Sequence, residues 1–64
     1  MFGNEDLTDL KNVIKKSGRE NSTMTLNKLY DLANDHGMHS KDANIIKPFL
    51  GKYGDSKLVD IMKL

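Results

Sequence analysis

Apolar residues in this chain never run beyond two in succession, and they recur three and four positions apart. Leu7, Leu10, Val13 and Ile14 form one such set. Leu26, Leu29, Tyr30 and Ala33 form a second, with Leu32 at its flank. Ala43, Ile46, Phe49 and Leu50 give a third, with Ile45 beside it, and Leu58, Val59, Ile61 and Met62 a fourth. This is the period of an amphipathic helix, repeated four times; the alternation of a half-buried strand is nearly absent. Four apolar faces on one short chain must cover one another. The expected fold is therefore all-α, a compact three- to four-helix bundle with one core and a helix-turn-helix-like central pair.

The chain has 64 residues and begins at Met1, which reads as a complete small open reading frame with one helical domain over 1–64. A domain of this size buries only about 60% of the surface that its unfolded chain exposes. It has no cysteine, so neither a disulfide nor a thiolate zinc site can support it. Packed helices must hold it together, with self-association as a further source of stability. No apolar run approaches the length of a membrane span, and no charged segment leads into an apolar signal core, so the expected location is cytoplasmic. Ten Lys/Arg stand against nine Asp/Glu, a net charge of +1. That balance points neither to a strongly basic nucleic-acid binder nor to an acidic mimic, and it weighs against tight non-specific DNA binding.

Helix boundaries follow from capping chemistry. Asn4 is placed to cap a first helix over Glu5–Lys16, with Glu5, Asp6 and Asp9 early and Lys15 and Lys16 late, as the helix dipole favours. Gly18 is the expected stop, and Ser17–Met24 a polar loop. Thr25 is the expected N-cap of the second helix, with Met24 and Leu29 at the two positions of a hydrophobic staple. Gly37 should end it. Ser40 can cap a third helix from Lys41. Pro48 lacks an N–H and crowds the preceding turn, which predicts a kink or an early end near Lys47. Gly51 and Gly54 should frame a turn, and Asp55 or Ser56 should cap the last helix.

Within this frame, Ala33 and Gly37 have a specific spacing. A helix–turn–helix brings two helices together steeply through a short turn, which needs a small residue on the first helix and a turn residue behind it. Ala33 and Gly37 supply these, Met38 an apolar plug, and Ala43 and Ile46 the facing side of the next helix. The stretch LANDHGMHSKDANII resembles the phage-repressor type of helix–turn–helix, in which Ala, Gly four residues on and then an apolar residue recur. It departs at Ala43, where a larger branched residue is usual, and at His36, where many members carry an apolar one. KLYDLANDHGMHSKDANII also looks like the small N-terminal helical module of bacterial translation initiation factor two. Both likenesses imply a helical, nucleic-acid-associated shape.

On the helix–turn–helix reading, the early exposed residues of the third helix face the major groove of double-stranded DNA. These are His39, Ser40, Lys41 and Asn44. Asn44 could bond an adenine edge through two hydrogen bonds, and Lys41 could reach guanine or phosphate. Lys28, Lys47 and Lys52 are candidate phosphate contacts. The bland reading of the same residues is a cap at Ser40 and a solvated lysine face. Likewise Lys11, Lys15, Lys16 and Arg19 are either a phosphate-facing patch or favourable charge at a helix C-terminus, and the second is the simpler account.

A second function class competes: a helical interaction module, an inhibitor or adaptor, with no nucleic acid involved. Its surface would be Tyr53, Leu58, Ile61, Met62 and Leu64, provided that set is only partly buried, against a larger protein or a second copy. No nucleophile motif and no glycine-rich phosphate loop is present, so no enzyme activity and no cofactor are expected. His36 and His39 are separated by Gly37 and are not expected to share a helical face, so no metal site is expected. The leading expectation is a small nucleic-acid-binding regulator, acting as a homodimer on two half-sites about one helical turn apart.

Overall fold

The computed structural model describes residues 4–35 and 40–64, with side chains for all of these except 4–6 and 40. Helix α1 spans Asn4–Lys16, α2 spans Leu26–Asp35, and α3 spans Ser40–Ile46. A single 3-10 turn over Lys47–Phe49 joins α3 to α4, Leu50–Tyr53, and α5 covers Leu58–Ile61. No strand forms among the described residues; the one sheet-like contact is an isolated antiparallel bridge between Thr25 and Lys57. The fold is a small all-α bundle. Its radius of gyration, 10.4 Å, is what a compact chain of this length should have, about 10–11 Å.

The four apolar sets meet in one core. Leu10, Val13 and Ile14 from α1, Leu26 and Leu29 from α2, and Ile46 and Phe49 from the third helical rod pack with Leu58 and Ile61 of α5. Ala33 and Ala43 are also buried, Ala33 completely. Helix α3 lies against both α1 and α2. The burial of Ala33 agrees with its place on the apolar face of α2.

Gly18 ends α1 as expected. Its φ is 74°, the left-handed conformation that glycine adopts without strain. Gly18 N–H donates to the Lys15 carbonyl at 2.9 Å, and Arg19 N–H to that of Ile14 at 3.2 Å. These two bonds make a Schellman cap and occupy carbonyls that the helix end would leave free. The stop expected at Gly37 lies outside the described residues, and so does the plug at Met38.

Pro48 acts as predicted at the end of α3. The α-helical hydrogen bonding stops at Ile46, and the proline is taken into the first positions of the 3-10 turn. The backbone stays in the right-handed region through Ile46, Phe49 and Leu50, so the rod changes its bonding without reversing direction. This carries the helix further than the glycines suggest. Gly51 lies inside α4 and does not frame a turn, because nothing between Pro48 and Tyr53 breaks the right-handed conformation. Only Gly54 stands at the helix end.

A second correction concerns α5. Neither Asp55 nor Ser56 caps it; the N-cap residue is Lys57, in extended conformation and without a side-chain cap bond. The free N–H groups find backbone partners across the molecule. Leu58 N–H donates to the Met24 carbonyl at 2.8 Å, and Val59 N–H to that of Ser22 at 2.9 Å. In return, Leu26 N–H donates to the Ser56 carbonyl at 3.1 Å, and Asn27 N–H to that of Gly54 at 2.9 Å. Each helix start is thus capped by the chain leading into the other, around the Thr25–Lys57 bridge. Thr25 completes the set on α2, its hydroxyl oxygen accepting from Lys28 N–H at 3.3 Å, as its N-cap position predicts.

Candidate nucleic-acid interface

Helix α3 and its continuation through α4 present two sides. Asp42, Ala43, Ile46, Phe49 and Gly54 are buried, and Leu50 and Tyr53 are half-buried. Lys41, Asn44, Lys47, Pro48, Gly51 and Lys52 are exposed. The two sets interleave at helical spacing, so the exposed residues follow one another along the outer side of a single rod. Four of the sequence-predicted site residues, Lys41, Asn44, Lys47 and Lys52, are thereby brought onto one surface.

The acidic residue in this stretch is disposed differently. Between positions 41 and 54 the sequence contains one carboxylate, Asp42. Only 6% of its surface is exposed, and its Oδ2 lies 3.6 Å from Lys16 Nζ at the end of α1. The inward turn of Asp42 leaves the outer side of the rod with lysines and an asparagine and no exposed carboxylate. The Asp42–Lys16 contact also uses a positive charge at a helix C-terminus, the simpler of the two accounts of the α1 lysines. Its signal in the sequence is positional: Asp42 precedes Ile46 by four residues and Phe49 by seven, the spacing of the buried face.

The remaining predicted residues are placed separately. Lys28 is exposed on the first turn of α2, a different element from the lysine rod. Ser40 is the first residue of α3, and its side chain is outside the described set. His39 and His36 lie outside the described residues altogether. Among the described residues, no group of three or more His, Asp or Glu is placed to hold a metal ion.

The alternative partner surface is not available as a set. Leu58 and Ile61 are 0% and 1% exposed and belong to the core cluster. The spacing that marked them as apolar also turns them inward, because α5 is docked against the start of α2. Tyr53 and Met62 are half-buried against the core. Among the described residues, Leu64 is the large hydrophobic residue that stands out, at 59% exposure. No helix among the described residues is long and apolar enough to cross a membrane.

Sequence reasoning missed two further features beside the rod. Gly54 is buried in contact with α2: a Cβ there would collide with the Leu50 carbonyl and lie 2.6 Å from Asn27 Oδ1. Asn27 also donates its side-chain amide to Asp55 Oδ1 at 3.2 Å. In addition, the ammonium of Lys52 stands 5.4 Å from the centre of the Tyr53 ring, within cation–π range, and that ring is tilted against Phe49 with centroids 6.3 Å apart. The core aromatic pair therefore gives Lys52 a seat at the surface. Comparison with family models, with curated proteins and with solved structures gives no match for this chain.

Proposed function

We propose that this protein is a small double-stranded-DNA-binding regulator that uses the outer side of the α3–α4 rod. One observation carries the reading: Lys41, Asn44, Lys47 and Lys52 share that side, and the carboxylate among them is turned into the fold. A net charge of +1 supplies little attraction at long range, so the local segregation of charge is what would favour a polyanion. Asn44 would read an adenine edge, Lys41 would reach guanine or phosphate, and Lys47 and Lys52 would hold phosphates. Two copies on adjacent half-sites would offset the weakness of one nearly neutral copy.

The test is a titration of mixed-sequence duplex DNA against salt. Two phosphate contacts per copy, or three if Lys41 also lies on phosphate, predict that log K falls with log salt at a slope of about −1.8 to −2.7. Replacing Lys47 or Lys52 with Gln should reduce that slope by about one in each case. Absence of binding at low salt, or binding indifferent to salt, would sink the reading.

A further inference from the structure

Among the described residues nothing requires Gly51 to be a glycine. Its position is interior to α4, where glycine lowers helix stability relative to alanine. The usual reasons for tolerating that loss do not apply. Among the described residues, Gly18 alone has a positive φ, so Gly51 has ordinary helical geometry that any residue could adopt. Among the described residues nothing lies within 4 Å of where its Cβ would stand, so none of the described elements requires the space.

Its surroundings are informative. Lys47 is four residues before it, Pro48 three before and Lys52 next to it, all exposed on the same side of the rod. Pro48 has a short ring and Gly51 no side chain, so the helix is bare along its exposed side between Lys47 and Lys52. We infer that Gly51 lets the phosphodiester backbone of duplex DNA come against the helix backbone between Lys47 and Lys52. Gly51 is on this account a positioning residue for the DNA surface proposed above, and it rests on that reading. Any side chain here would hold the strand off by its own thickness, and both lysines would then have to extend to reach it.

The experiment uses the full chain with Gly51→Ala and Gly51→Leu, a short mixed-sequence duplex as probe, and thermal unfolding in parallel. Both variants should melt at a higher temperature, since alanine and leucine favour helix. Affinity should nevertheless fall in step with side-chain size, on the order of tenfold for Gly51→Leu. If both variants bind as tightly as the unmodified chain, the inference is overturned and the proposed function stands. A lower melting temperature would also overturn it, by showing that the fold does need the glycine. If the unmodified chain binds no duplex, both readings fail together. Lys47→Gln separates the cases, because it reports the lysine contacts whatever happens at Gly51.

Discussion

The α2–α5 junction and the outer side of the α3–α4 rod lie a few residues apart and draw on similar polar residues, yet their residues answer to different demands. At the junction each N–H group of the two helix starts has an assigned partner. The first four N–H groups of α2 go to Ser56, Gly54, the Thr25 hydroxyl and the Thr25 carbonyl; those of α5 go to Met24, Ser22 and twice to Lys57. Gly54 is bare because Asn27 and the Leu50 carbonyl occupy the space. Three residues earlier, Gly51 is bare with no described residue within 4 Å of its Cβ position. The junction is thus accounted for by the fold itself. The rod's outer side, with Lys41, Asn44, Lys47 and Gly51, is not, and residues that the fold does not require are where binding chemistry should be sought.

Substitutions at the junction and in the core should therefore act on stability, and those on the outer side should not. The largest effect is expected from Leu58→Ala. Leu58 is fully buried, and truncating it should cost about 2–5 kcal/mol, read as a shift in the urea midpoint. A small domain has little reserve, so a loss at the upper end would leave much of the population unfolded at room temperature. An unchanged midpoint would show α5 to be an appendage, and the contrast between the two regions would fail.

Ala33→Leu tests the crossing of α2 with its neighbours. Its side chain is completely buried, and overpacking there should cost about 1–3 kcal/mol whether or not the protein binds DNA. Gly54→Ala belongs to the same range, since the added methyl must displace the Asn27 amide and crowd the Leu50 carbonyl. Paired with Gly51→Ala, it compares the two glycines directly in thermal unfolding: the first should lower the melting temperature and the second raise it. The same sign for both would remove the distinction between a glycine the fold needs and one it does not.

Thr25→Ala should cost about 1 kcal/mol by losing the bond to Lys28 N–H. This residue also shows which features the sequence discloses. The cap at Thr25, the stop at Gly18, the end of α3 before Pro48 and the burial of Ala33 all depend on near neighbours in the chain, so local rules reach them. The start of α5 does not, because its first two N–H groups, those of Leu58 and Val59, are satisfied by carbonyls more than thirty residues away. Asp42 falls at the spacing of the buried face, but the charge that lets a carboxylate sit there, Lys16, comes from α1 and is not a near neighbour in the chain. Gly51 reads as a turn because glycine usually marks one, and here the right-handed backbone simply continues. The exposure of Lys41, Asn44, Lys47 and Lys52 and the inward position of Asp42 were legible from helical spacing, whereas the pairing of Asp42 with Lys16 was a tertiary property.

Asn44→Ala should have the smallest effect on folding and is the sharpest test of the outer side. Asn44 is exposed on α3, and alanine is the better helix former, so stability should change by no more than about 0.5 kcal/mol and in the favourable direction. On the DNA reading the same substitution removes an amide able to pair with an adenine edge. Discrimination between preferred and unrelated duplexes should then fall by about 1–3 kcal/mol, while the salt slope stays the same, because no phosphate contact is lost. Competition binding against a randomised duplex pool measures the first quantity and salt titration the second. A reduced slope with intact discrimination would move Asn44 from base reading to backbone contact. A destabilised Asn44→Ala beside a tolerated Ala33→Leu would reverse the assignment of inner and outer faces on α3 and α2. Unchanged stability and unchanged sequence preference together would leave Leu29–Pro48 as two helices and the segment between them, and would move the search for function away from this rod.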